Sequence, residues 1–131
     1  MLFLKTQKVY VGGSYINEFD GVYVNNGNAY DLSSGIFTAP KPGVYEFSAS
    51  VFSWAFHITG WNRVGVEKNN VNDLTFGAWA RESDDNSGTL SFTWIMHLNQ
   101  ADTIRLKVFE EIRSFPGKTD FVFSGKFICS I

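Results

Sequence analysis

Apolar and polar residues alternate with a period of two through much of this chain, most cleanly from Thr89 to Leu98. Leu90, Phe92, Trp94, Met96 and Leu98 fall on one face of that run, and Thr89, Ser91, Thr93, Ile95 and His97 on the other. Only an extended strand sends successive side chains to opposite sides, so the run predicts a strand with one buried face. A slip of one residue would turn the whole apolar set to solvent, so the register is strongly specified. Trp94 is accordingly expected in the core rather than on a ligand platform.

The same period recurs elsewhere. Between Thr103 and Glu110 it puts Ile104, Leu106 and Val108 inward and Arg105 and Lys107 outward. A closing strand from Asp120 to Ser130 carries Phe121 and Phe123 inward, with Phe127 as a further candidate. From Gly43 to Ile58, Tyr45, Phe47, Ala49 and Val51 share one face, and two readings then stand for Phe52, Trp54 and Phe56. A bulge after Val51 would switch them inward. Without it they form an aromatic row facing away from the core, of the kind that marks an interface. Glycine, asparagine, aspartate and proline punctuate the strands, and no stretch keeps a helical period; that is the pattern of a β-sandwich or jelly roll.

A chain of 131 residues is one domain, read here as 1–131, and it is long enough to bury a core. Aromatic residues make up 17% of it, with 13 Phe, 5 Tyr and 4 Trp, and such side chains suit pleated, half-buried surfaces. The net charge of −2, with no basic stripe, argues against nucleic acid as a partner. No apolar run is long enough to span a bilayer. The apolar stub Met1-Leu2-Phe3-Leu4 before Lys5 is too short for a signal peptide. Cys129 is the single cysteine, so no intrachain disulfide forms. It is expected as a small buried hydrophobe on the last strand, with an intermolecular disulfide or a reactive thiol as the alternative.

Turn chemistry marks Asn25–Asn28, Asp31–Gly35, Lys68–Asn70 and Asp84–Gly88, and Pro40 and Pro42 bracket Lys41 at a strand entry. Neither His57 nor His97 lies in a nucleophile motif or at metal-ligand spacing, so both read as surface strand residues and no zinc site is expected. Trp79 shares a strand face with Arg81, opposite Leu74, Phe76, Ala78 and Ala80. Its ring can stack on a sugar or hold a cation, or it can serve as a lid or subunit contact, and Trp61 is read the same way. The loop Arg113–Lys118 holds Phe115 between cations, and the Arg113 fork suits a carboxylate such as that of sialic acid; the other reading is a plain connection. Asp84 and Asp85, with Glu82, Arg81 and Asn86, make either a polar-ligand or calcium loop or a solvated hairpin, and the ligand spacing of a calcium loop is missing. The candidate ligand-binding residues are therefore Trp79, Arg81, Arg113 and Asp84.

Phe19, Asn25, Tyr30, Phe37, Gly43 and the Tyr45/Phe47 pair stand at fixed offsets. Around them run Asn28-Ala29-Tyr30-Asp31, Gly35-Ile36-Phe37-Thr38-Ala39-Pro40 and Gly43-Val44-Tyr45-Glu46-Phe47. Leu98, Asp102, Ile104 and Leu106 follow, and Phe123-Ser124-Gly125-Lys126-Phe127 closes the chain. This pattern resembles the C1q globular-head domain of the C1q/tumour-necrosis-factor superfamily over nearly the whole sequence. The resemblance implies an all-β, ten-stranded jelly-roll sandwich that assembles as a homotrimer, is secreted, and carries no catalysis and no cofactor. It makes Tyr30, Phe37, Gly43, Tyr45, Phe47 and Phe123 framework residues.

Two functions fit that resemblance: a lectin-like pattern-recognition module of innate immunity that binds carbohydrate or microbial surfaces, and a cytokine-like or matrix module that binds a protein receptor. Three departures stand out. Ala49 replaces an aromatic residue, with Trp54 or Phe52 as candidates to fill the volume. Ala101 replaces the glycine before the turn aspartate, a strained choice if φ is positive there. Some members hold calcium with acidic side chains in the region matching Asn62–Asn70, where this chain offers Glu67 and asparagines, so no metal is assigned.

Overall fold

The alternation becomes strands over most of residues 2–7, 15–17, 19, 21–53, 61–81, 88–108 and 119–130, which the computed structural model describes. The strands are β1 (Leu2–Gln7), β2 (Tyr15–Ile16), β3 (Gly21–Asn25), β4 (Tyr30–Asp31), β5 (Ile36–Thr38) and β6 (Gly43–Ser53), followed by β7 (Trp61–Lys68), β8 (Val71–Arg81), β9 (Gly88–Leu98), β10 (Thr103–Val108) and β11 (Thr119–Cys129). Among the described residues the only helical piece is a 3₁₀ turn, Asn26–Asn28. One sheet has the order β3-β1-β11-β6-β9 and the other β4-β5-β10-β7-β8, with the stub β2 also paired to β10. The pairings are antiparallel throughout. This is the all-β jelly-roll sandwich, and the described residues form eleven strand segments of it.

The inward rows of the two sheets make one core. Tyr45, Phe47, Trp94, Met96, Phe121 and Phe123 come from the first sheet, and Phe37, Val64, Val66, Ile104, Leu106 and Val108 from the second, all buried. Aromatic rings run across the strands in a stack. Phe47 lies 5.3 Å from Trp94 and 5.9 Å from Phe123, and Phe92 lies 5.0 Å from Trp94. The Phe37 ring meets Phe47 edge-on at 5.2 Å and ties the sheets together. Contacts of this kind add about 0.5–1.5 kcal/mol each beyond the area they bury. Trp94, in the core as expected, donates its indole N–H to Met96 Sδ at 3.3 Å.

The register of β6 against β9 is continuous from Gly43↔Leu98 to Ser53↔Gly88. No bulge follows Val51 within the strand, so position 52 lies on the row of Ser48 and Ser50, opposite to that of Ala49. The cross-strand neighbours of Ala49 are Phe92 and Phe123, and the side chain of Phe52 lies outside what the structure describes. Trp54, Phe56 and His57 lie outside the described residues, and His97 is exposed on β9.

Cys129 is exposed, against the expectation of a buried residue. By simple alternation it would follow Phe127 inward, but the register of β11 against β6 shifts between Phe127 and Cys129 and breaks the alternation at the strand end. Opposite that irregularity Gly43 has φ 153°, and a Cβ there would sit 2.5 Å from both the Phe127 ring and the Cys129 carbonyl oxygen.

Candidate functional site

Of the residues singled out from the sequence, Trp79 and Arg81 lie on β8, while Asp84 and Arg113 fall outside the described residues. The β7–β8 register pairs Arg63 with Trp79 and Trp61 with Arg81. Directly paired residues share a face of an antiparallel ribbon. The register thus sets a tryptophan opposite an arginine at two successive pairs of the ribbon. Sequence reasoning placed Trp79 beside Arg81 but not beside Arg63, because that neighbour is set by the partner strand.

The next strand boundary builds a different polar cluster. Glu67 on β7 is 4% exposed although its row faces away from the core. Tyr15 on β2 donates its hydroxyl to both carboxylate oxygens, at 3.1 and 3.0 Å. Arg105 Nε and Lys107 Nζ each stand 3.9 Å from the carboxylate, and Arg105 also lies over the Tyr15 ring at 4.1 Å. Burial, together with the bond to Glu67, pushes the Tyr15 phenol above its ordinary value. The carboxylate is committed to a phenol and two cations, and an arriving calcium ion would meet the field of Arg105 and Lys107. Glu67 and its surroundings do not fit a calcium site. Among the described residues no group of three or more His, Cys, Asp or Glu gathers to hold a metal.

A third surface is the face of the five-stranded sheet turned away from the core. Ser48, Ser50, Ser91, Thr93, Val122 and Ser124 line a shallow hollow of about 330 Å³ there. The Ser48 and Thr93 hydroxyls share a hydrogen bond at 2.9 Å across β6 and β9. On the β1 side Phe3, 38% exposed, packs edge-on against Tyr23 at 5.2 Å, and on β9 Ile95 is 58% exposed. The face thus carries small hydroxyl side chains on β6, β9 and β11, and large apolar ones at Phe3, Tyr23 and Ile95.

Two antiparallel sheets in this strand order define a jelly roll of the C1q/tumour-necrosis-factor type, a class of domains that are generally non-catalytic and form trimers. The family profile of the C1q domain matches residues 3–128, and the chain belongs to that family. Among solved structures it is similar to the globular domain of zebrafish complement 1qA protein, with a TM-score of 0.76 and 18% identity over 99% of this chain and 98% of that one. Murine APRIL at pH 5.0 gives a TM-score of 0.58 and 15% identity over 94% of this chain and 98% of that one. These are likenesses of fold.

Among curated proteins, the heavy metal-binding protein HIP of Mytilus edulis is 28% identical over 96 residues, covering 73% of this chain and 43% of its own length. The complement C1q tumor necrosis factor-related protein 6 of Mus musculus is 44% identical over 41 residues, 31% of this chain and 16% of that protein. The chain spans less than half the length of these relatives. No helix of the described residues is long and apolar enough to cross a membrane.

Proposed function

We propose that this domain is a secreted, homotrimeric recognition module that binds carbohydrate on cell or microbial surfaces. The observation that carries the reading is the β7–β8 register, which pairs Trp61 with Arg81 and Arg63 with Trp79. Indole faces suit the apolar faces of sugar rings, and guanidinium forks suit the carboxylates of acidic sugars. Asp84 and Arg113, outside the described residues, are the further candidate ligand contacts in this reading. Assembly uses the outward face of the five-stranded sheet, where the small residues of β6, β9 and β11 let a neighbouring copy approach and Phe3, Tyr23 and Ile95 bury apolar area. Three weak sugar sites on one particle then act together, and avidity replaces single-site affinity.

A glycan array probed with and without calcium tests this reading. Selective binding that free sugar competes, that is indifferent to calcium, and that falls at least tenfold in Trp79→Ala and Arg113→Ala is the expected result. A blank array from an intact trimer would reject the carbohydrate ligand and move the weight to a cytokine-like or matrix module with a protein receptor.

A further inference from the structure

At the end of the sandwich where β1 and β6 begin and β11 finishes, the sheets part around a cavity of about 330 Å³. Its walls are mainly apolar: Leu2, Phe37, Tyr45 and Phe127, with Gly125 between them. Gly125 takes the inward position between Phe123 and Phe127, and a Cβ there would meet the Phe47 ring at 2.7 Å. The close approach of Phe47 thus leaves no room for a side chain at Gly125 that could fill the space. Phe37 and Tyr45 meet edge-on at 5.8 Å, and Tyr45 and Phe127 at 5.3 Å, so the walls are fixed by one another.

Both rims are held in place. The Tyr45 hydroxyl donates to the Lys41 carbonyl at 2.6 Å. The Ala39 N–H donates to the Asp102 carbonyl at 2.8 Å, and Ala39 accepts from the Ala101 N–H at 2.9 Å. The segment 39–42 is therefore clamped to both β6 and the β9–β10 turn. Opposite, the Asn25 amide donates to the Tyr30 carbonyl at 2.9 Å and its oxygen accepts from the Tyr30 N–H at 3.1 Å, which pins the 3₁₀ turn at the other lip. A pocket with preformed, largely apolar walls and few polar groups is what small-molecule sites look like, and this volume lies at the small end of their range.

The mouth carries charge of one sign. Lys41 Nζ sits 3.9 Å from the centre of the Phe127 ring, and among the described residues no carboxylate pairs with it. Lys126 also lines the opening, but Glu46 holds it at 3.4 Å. An ammonium ion parked over an aromatic wall favours a ligand whose anionic head meets the cation while its apolar body displaces water from the aromatic pocket. We propose that this cavity binds a small amphiphilic carboxylate with an apolar body the size of a short acyl chain. Lys41 and the apolar walls belong neither to the β7–β8 ribbon nor to the outward sheet face, so the site stands or falls independently of the carbohydrate reading.

Calorimetric titration of the wild-type protein with octanoate, octanol and octylammonium, at one salt concentration, tests it. The expected order is saturable octanoate binding, octanol about tenfold weaker, and octylammonium weaker still. Lys41→Met keeps the aliphatic stem and removes the charge, so it should bring octanoate down to the affinity of octanol and leave octanol unchanged. Ala29→Leu, which adds bulk to the cavity lining, should weaken octanoate and octanol together. Lys41 is exposed, so the lysine variant keeps the test open if the leucine variant fails to fold. Absence of octanoate binding, equal binding of the three probes, or octanoate binding unchanged in Lys41→Met would each overturn the proposal.

Discussion

Ala101 is held at φ 71°, a left-handed conformation, by an N–H donated to the Ala39 carbonyl at 2.9 Å. A Cβ in that region costs about 1–2 kcal/mol, while glycine gives back roughly 0.5–1 kcal/mol through its larger freedom when unfolded. Ala101→Gly is therefore expected to stabilise the domain by about 0.5–1 kcal/mol, read as a higher urea midpoint with an unchanged slope. A lower midpoint would show that the turn is not strained. The strain was legible in the sequence because the glycine usual before the turn aspartate is missing here. The exposure of Cys129 was not legible. Alternation puts it inward, and the shift that turns it out depends on how β11 meets β6 opposite Gly43.

The turn elements carry a pH signature. Asn69 and Asn70 have φ 51° and 65°, the paired left-handed conformations of a type I′ hairpin between β7 and β8. From there the Asn69 amide reaches Asp102, donating at 3.0 Å, and its oxygen accepts from the Thr103 N–H at 2.8 Å. Asp102 also accepts the Asn99 N–H at 2.8 Å. The Asn69 amide first, then the Asn99 N–H and the nearby Lys68, hold the Asp102 carboxyl below its ordinary 3.8. A lowered folded value means the unfolded chain takes up the proton first, so this stability is present above 3.8 and is lost as pH falls through the folded value. Asp102→Asn should be less stable than wild type at neutral pH, with the gap closing below 3.8 in parallel denaturation curves. A gap that stays constant into acid would remove Asp102 as the source.

Strands with one buried face, such as β9 from Ser91 to Leu98, β10, and β11 at Phe121 and Phe123, were legible because parity alone fixes their rows. The run after Val51 left two readings, since parity cannot tell a bulge from a continued strand until the β9 partner is known. Glu67 was visible as the acidic residue at which the family resemblance raised the question of calcium. What neutralises that role is Tyr15, 52 residues away, and local pattern carries no trace of so distant a partner. The pairing of Trp79 with Arg63 was hidden for the same reason.

At the scale of the whole molecule, the proposed function depends on copies acting together, because shallow sugar sites bind weakly one at a time. The outward face of the five-stranded sheet is where this dependence becomes testable. Ser48 lies on that face, hydrogen-bonded to Thr93, and Ser48→Arg would place a long cation where the proposed assembly brings a neighbouring copy. That variant should fold as the wild type does, sediment as a monomer, and lose surface binding on the order of 10²-fold while keeping its affinity for free sugar.

Sedimentation velocity of the wild-type protein at micromolar concentration tests the central claim most directly. The account predicts one species with the mass of three 14.7 kDa chains, and a stable species at 14.7 kDa would contradict it.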